Sequence, residues 1–394
     1  MTFPEALEIP DAILEIARKL EEAGFEAWCV GGTLRDQLLG HPHSDYDIAT
    51  SATPEQVRRL FPRTVGVGVK YGTVGVLDRQ RVLHEVTTFR RDVTTDGRHA
   101  VVAYGVALED DLARRDFTIN AMAYHPLRAE WRDPFGGAED LRKRLVRAVG
   151  TPAQRFQEDY LRILRAIRFA ARFEFTIDPP TWDAACAASS GLAQLSAERV
   201  RDEWFKSLRT ARSLKQLVAL WVSVGAAPVW IPELEPGAGG FTVTDPPLEA
   251  RDPVLLTALL CRNPADVLRR LKASRAEIER VAAIERGPGQ PAAKDQKSVR
   301  HWLAATGGAA DDLSRLWALR QGVEPPWSEA VQEIRHRKDP LTRSELAITG
   351  ADLQALGARG PLVGRMLSEL LRLVLDEPEL NTRESLLALA RKMA

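Results

Sequence analysis

Between Cys29 and Thr50 the chain reads CVGGTLRDQLLGHPHSDYDIAT, and the two acids of its DYD step restrict the fold more than any other feature. EAWCVGG has the makeup of a short strand ending in a glycine turn, TLRDQLLG of a helix stopped by Gly40, and DYDIAT of a second strand. Residues i and i+2 of a strand face the same way, so Asp45 and Asp47 are expected side by side. Like charges held that close repel unless a cation lies between them. Mg²⁺ takes hard carboxylate oxygens and keeps positions open for substrate phosphates. Two-metal phosphoryl transfer needs such a cluster. Glu85, in VLHEVTTF, offers a third carboxylate from a neighbouring strand. A DxD taken alone is more often solvated loop acid.

The glycines shift that balance. Gly31-Gly32 follows a strand and precedes a helix, which lets backbone N–H groups approach a phosphate at a helix start. Arg35, one turn into that helix, is within reach of the same phosphates; the plainer alternative is a tight turn with a surface arginine. GGTLRD lacks the GxGxxG spacing of a dinucleotide-binding turn, and Gly66, Gly68 and Gly72 sit in a β pattern with the wrong spacing. No GxxxxGK[ST] occurs, so a P-loop ATPase is excluded.

The surrounding pattern alternates helix and strand. Residues 11–24 read as an amphipathic helix, and SATPEQVRRLF as a capped helix with an early proline. VGVGVKYGTVGVLDRQRVLHEVTTFR reads as a hairpin turning near Asp78–Gln80. After about Arg142 nearly every periodic stretch is helical, among them SAERVRDEWFKSLRT, PADVLRRLKA and GRMLSELLRLVLDE. Breaks rich in Pro and Gly at 232–240, 287–294 and 322–327 are candidate joints. The patterning gives an α/β or α+β head followed by an all-helical remainder; the fold class expected is α+β.

A chain of 394 residues has room for two to four domains. Its 54 basic and 54 acidic residues cancel, so a nucleic-acid surface has to be sought in local charge. Cys29, Cys186 and Cys261 form no CxxC and no metal spacing, which fits a reducing, cytoplasmic setting. The first residues carry acids and no signal-peptide pattern, and no apolar run is long enough for a bilayer, so no membrane partner is expected.

Two further clusters carry charge. DLARRDFTINAMA (Asp111–Ala123) sets Arg114, Arg115 and Asp116 near Asn120, and a helix there would bring Asp116 and Asn120 to one face. Arg115 fits a phosphate clamp; a surface ion-pair patch fits equally well. EDYLRILRAIRFAARF (Glu158–Phe173) has an apolar stripe of Tyr160, Ile163, Leu164, Ile167 and Ala171, with Asp159, Arg162, Arg165 and Arg168 opposite. Between Arg142 and Arg172 nine basic residues face only Glu158 and Asp159. A solvated helix face satisfies this pattern. Yet Asp159 and Arg162, one turn apart, offer acceptors beside donors. Cytosine and adenine each present an amino donor beside a ring acceptor, whereas uracil and guanine turn a carbonyl to the carboxylate. Each such mispairing costs about 1–3 kcal/mol. Arg165 and Arg168 could hold phosphates.

VGGTLRDQLLGHPHSDYDIAT, RRDFTINAMA, DPFGGAEDL (Asp133–Leu141) and EDYLRILRAIRF resemble, in order, the motifs of class II tRNA nucleotidyltransferases, the bacterial CCA-adding enzyme and poly(A) polymerase family. The resemblance covers about Ala23 to Arg172 and continues weakly through Glu345–Leu367 and Leu380–Ala390. It implies a polymerase-β-like nucleotidyltransferase head over 1–141, a neck with a nucleotide-selecting helix over 142–205, a helical body over 206–325 and a tRNA-binding tail over 326–394. It further implies that Asp45 and Asp47 hold Mg²⁺ with Glu85 as third carboxylate, and that Gly32, Arg35 and Arg115 bind the incoming nucleotide. Asp159, Arg162, Arg165 and Arg168 would form the protein template. The implied partners are tRNA, CTP and ATP. Phe89–Gly105 falls where the family has a flexible loop needed for the final A, here without a proline after Arg98-His99. A CC-only specialist is expected to lack much of that loop; A-only addition and poly(A) polymerase remain rivals. So do a non-catalytic RNA-binding protein and a small-molecule nucleotidyltransferase. No His-Asp doublet occurs, so the hydrolase domain of some relatives is not expected.

Overall fold

The computed structural model describes residues 3–41, 46–66, 72–95, 100–234 and 245–393, with backbone alone at 92–95 and 100–102. The chain divides into two compact units, Met1–Pro232 and Glu233–Ala394.

The first unit opens with α1 (Asp11–Glu22), β1 (Ala27–Val30), α2 (Gly32–Leu38), β2 (Asp47–Thr50) and α3 (Pro54–Leu60). Next come β3 (Thr64–Val65), β4 (Thr73–Leu77), β5 (Leu83–Thr88), β6 (Arg90–Thr95) and β7 (Ala100–Tyr104). α4 (Leu108–Ala113), β8 (Ala123–His125), β9 (Glu130–Arg132) and α5 (Gly137–Arg142) complete the mixed part. The main sheet runs β3-β4-β5-β2-β1-β8-β9. Its β2–β5 pair is parallel, and β1 is antiparallel to both its neighbours.

The central strands are apolar on both faces, because both are covered. On β1, Ala27 and Cys29 join α1 and α3 in one core with Ile13, Leu20, Ile48, Val57 and Val86. Trp28 and Val30 point the other way, to Ala49, Phe89, Leu108, Leu112 and Ala123. α3 starts as its sequence dictates: Thr53 and Gln56 form a reciprocal capping box before Pro54. The β4–β5 hairpin turns through Asp78–Val82, where Asp78 N donates to Val82 O at 3.0 Å. β6 and β7 pair antiparallel across the expected loop region; residues 96–99 within it lie outside the described residues.

The rest of this unit is mainly helical. β10 (Leu145–Val146) leads to α6 (Pro152–Glu158) and α7 (Leu161–Phe173). β11 (Thr176–Ile177), parallel to β10, precedes α8 (Pro179–Ala187), a 3-10 segment at Ser189–Gln194 and α9 (Ala197–Thr210). On α7 the predicted stripe residues Ile163, Leu164, Ile167 and Ala171 are fully buried, but burial extends beyond them: Ala166, Phe169, Ala170 and Phe173 pack on Phe117, Ile119 and Met122, and Arg168, read on the opposite face, is 7% exposed. One expectation is corrected. The helix read over Glu158–Phe173 is broken: Asp159 is extended, at φ −159° and ψ 105°, and α7 begins after it. The Asp159 side chain takes the Leu161 N–H at 3.0 Å, the donor a continuous helix would have used elsewhere. A second is corrected too. α4 ends before Arg114, and the following chain is a loop with one 3-10 turn at Thr118–Asn120.

The second unit is built from helices, including Pro253–Leu260, Pro264–Arg270, Arg275–Arg286, Gln296–Thr306, Ala310–Gln321, Ser328–Arg337, Pro361–Asp376 and Arg383–Met393. The breaks read at 287–294 and 322–327 fall between helices. Leu346, Ile348, Leu353, Met366, Leu370, Val374 and Leu386 form a separate core near its end. Among the described residues no helix is long and apolar enough to cross a membrane.

Candidate active site

β2 begins at Asp47, which lies opposite Val30 of β1 and is exposed, while its neighbours Tyr46 and Ile48 are buried in the opposite core. Tyr46 fixes the strand entry by donating to Glu8 O at 3.1 Å. Asp45 lies outside the described residues. The parallel register pairs Ile48 with Val86, so one step earlier Asp47 stands level with Glu85 on the same face. Glu85 is exposed, opposite Gly75 of β4, which has no side chain to crowd it.

The turn before α2 completes this edge. Gly31 has φ +84° and ψ −146°, a conformation open to glycine alone. A Cβ there would lie 3.2 Å from Arg115 Nη1 and 3.5 Å from Asp47 Oδ2, so carboxylate and guanidinium flank the bare backbone. Arg115 is held by Asp111, which accepts from Nη2 at 3.1 Å, and Nη1 donates to Asn120 O at 3.3 Å. Its Nε is buried with no partner in the protein. Asp111 is 1% exposed and also accepts from Arg114. Burial alone would raise its carboxyl, but the two arginines outweigh it and the net shift is downward.

Beneath the turn runs a buried polar chain. Arg35, 3% exposed, donates to Asp36 at 2.7 and 2.9 Å and to Asn120 Oδ1 at 2.5 Å. Its guanidinium lies 4.9 Å from the ring centres of both Phe169 and Phe173. Burial lowers its pKa to about 10 against the pull of Asp36. Arg172 donates to Asp36 at 2.8 Å. Asn120 donates to Asp116 at 2.9 Å, so the expected meeting of those two is made by the loop rather than a helix. Asp116 also accepts from Arg165 at 2.5 and 2.8 Å. Burial would raise the Asp116 carboxyl, yet Arg165, Asn120 and the Phe117 N–H bring it down to about 2.

The residues read as base-selecting lie at the start of α7. Arg162 donates through Nη1 to Arg155 O and Glu158, and through Nη2 to Arg114 O at 3.0 Å. Those bonds use three of its five donors. Asp159 binds Leu161 N through Oδ1 and Arg199 through Oδ2 at 2.6 Å. Arg165 is tied to Asp116, and Arg168, 7% exposed, to Glu203 of α9 at 2.6 Å. Gly32 opens α2 beside Arg35.

Arg114 and Arg115, adjacent in sequence, join the two clusters: the carbonyl of one receives Arg162, and the guanidinium of the other lies by Asp47 and Gly31. Asp111, Asn120 and Arg199 were not singled out as site residues from the sequence. Asp111 is signalled by its i+3 and i+4 arginines; Arg199, 40 residues from its partner, has no local signal.

A divalent cation fits the acidic edge in kind. Asp47 and Glu85 are hard oxygen donors, exposed and level on adjacent strands. Among the described residues no group of three or more potential metal ligands gathers. Cys29 offers no soft ligand: burial, then the Asp47 charge, pushes its thiol up to about 12.

Three family profiles match the chain: the poly A polymerase head domain over residues 27–147, a probable RNA- and SrmB-binding site of polymerase A over 174–237, and a putative tRNA nucleotidyltransferase domain 2 over 254–390. The chain is 35% identical to the CCA-adding enzyme of Streptococcus mutans, over 96% of each chain. It is also 35% identical to that of Enterococcus faecalis, over 98% of this chain and 97% of the other. Its fold is similar to the crystal structure of the Bacillus stearothermophilus CCA-adding enzyme in complex with CTP, with TM-score 0.78, 31% identity and 97% of each chain covered. The Thermotoga maritima CCA-adding enzyme complexed with tRNA shares the fold at TM-score 0.64 and 19% identity, over 97% of this chain and 95% of the other.

Proposed function

The chain belongs to the class II tRNA nucleotidyltransferase family, and we propose how its own residues carry out that family's reaction. It is a CCA tRNA nucleotidyltransferase, adding C and A to tRNA 3′ ends from CTP and ATP with release of pyrophosphate. The 3′-oxygen of the tRNA forms a bond to the α-phosphorus as the bond from that phosphorus to the pyrophosphate oxygen breaks.

Asp45 and Asp47 would hold Mg²⁺, with Glu85 as a third carboxylate. Bound there, the ion supplies activation of the hydroxyl and neutralisation of charge on the leaving group. The Gly31-Gly32 turn offers backbone N–H groups to the triphosphate, and Arg115 brings its guanidinium to the same turn through Nη1, beside Gly31 and Asp47. Gly32 and Arg35 bind the incoming nucleotide in this reading, the buried Arg35 guanidinium lying 4.9 Å from the Phe169 ring centre of α7. Asp159 accepts from the amino group of cytosine or adenine while the remaining donors of Arg162 meet the ring acceptor. Arg165 and Arg168 complete the template in this reading, each paired with an acid, Asp116 and Glu203. In this reading 1–141 is the catalytic head, 142–205 the selecting neck, 206–325 a body and 326–394 a tail that grips tRNA by backbone phosphates and shape.

The observation that supports the reading is at Arg114–Arg115: the Arg114 carbonyl accepts from Arg162 at 3.0 Å, and the Arg115 guanidinium lies 3.2 Å from the Gly31 Cβ position, which is 3.5 Å from Asp47 Oδ2. The test uses tRNA ending at the discriminator base, at CC or at CCA, with each NTP in turn. Wild type is expected to extend the first two to CCA and leave the third. Asp47→Ala should abolish addition while tRNA binding persists; unchanged turnover would overturn the metal assignment.

A further inference from the structure

Asp159 enters here as the base-selecting acceptor, and the roles assigned to its neighbours rest on that reading. Its carboxylate is fixed from two sides. Oδ1 accepts the Leu161 N–H at 3.0 Å, and Oδ2 accepts from Arg199 Nη2 at 2.6 Å. Arg199 lies in the first turn of α9, and α9 is anchored to α7 through the buried Arg168–Glu203 pair. The residue after Asp159 is seated as well. A Cβ on Gly191 would fall 2.1–2.4 Å from three ring carbons of Tyr160, so the ring rests against bare backbone in the Ser189–Gln194 segment.

The chemistry of discrimination needs this rigidity. A carboxylate whose plane is fixed presents acceptors at one place only, and a uracil O4 or guanine O6 arriving there is repelled. One free to rotate turns away from the carbonyl and forfeits the repulsion. Each carboxylate oxygen has two lone pairs, so the Arg199 bond occupies one on Oδ2 and directs the other. We propose that Arg199 and Gly191 are positioning residues for base selection. They hold the Asp159 carboxylate at the angle that accepts an exocyclic amino group and excludes a carbonyl.

The experiment measures kcat/KM for CTP and for UTP separately, with full-length enzyme, Mg²⁺ and tRNA ending at the discriminator base. Arg199→Gln is expected to lower the CTP-to-UTP ratio by about tenfold, while Arg199→Lys holds it within about threefold. Gly191→Ala, which removes no polar contact, is expected to lower the ratio in the same direction. If CTP and UTP rates fall together with the ratio unchanged, or neither moves, the proposal is overturned. Should Arg199→Gln fail to fold by near-UV circular dichroism, Gly191→Ala decides alone. Asp159→Ala separates the premise: if it leaves the ratio intact, base reading by Asp159 fails; if it relaxes the ratio and the Arg199 and Gly191 variants do not, only the positioning role fails.

Discussion

Asp116 is where acid should act on the join between loop and neck helix. Its carboxyl is held at about 2, below the ordinary value near 3.9, by Arg165 and two hydrogen bonds that overcome burial. A depressed carboxyl contributes stability that is complete above pH of about 4 and vanishes as pH falls toward about 2; here the contribution is about 2 kcal/mol. Urea midpoints should therefore drop between pH 5 and pH 3, and Asp116→Asn should drop less across that interval. At the acidic edge, Asp47→Asn should cut addition by at least about a hundredfold with little change in Tm, since Asp47 is exposed at a strand start. As candidates, Asp47, Arg115 and Asp159 stand out in the sequence because the features that mark them lie within a few positions. Asp111 and Arg199 were not singled out. What defines them is a partner's need for a fixed angle, and for Arg199 that partner is brought near only by packing.

At the scale of elements, the α7–α9 contact is a second test. Arg168 and Glu203 are 7% and 3% exposed, so removing one leaves a buried charge without its partner. Glu203→Ala should cost about 3–5 kcal/mol, read as a fall in Tm. Pairing it with Arg168→Met should recover most of that loss, because an apolar pair of similar volume tolerates the site. The break between α6 and α7 shows why element boundaries escaped the sequence. The apolar spacing over Glu158–Phe173 is compatible with one helix, but Asp159 competes for the Leu161 N–H and wins. Periodicity reports which face is buried; it is silent on a side chain capturing a main-chain donor.

For the whole molecule, the switch from mixed to helical patterning near Arg142 was legible because burial imposes different periods on strands and helices. The order of the sheet was not, since the β2–β5 pairing joins strands separated by a helix and two other strands. A chain with zero formal net charge should still bind tRNA through local basic surfaces. Its affinity should then fall steeply with salt, with a log–log slope of about −0.7 to −0.9 per phosphate contact. A flat salt profile in filter binding would count against a phosphate grip. EDTA should stop addition while leaving that binding in place, as a metal requirement confined to chemistry demands. The parallel pairing also bears on synthesis. Asp47, Glu85, Arg115 and Arg162 come from four stretches that meet only once β5 has slotted beside β2 and α7 has closed on the loop after α4. On the proposed assignments, a nascent chain emerging from the ribosome would carry no working fragment of this chemistry, and a polymerase that needs no template would stay silent until the parts that restrain its choice of letter had been made.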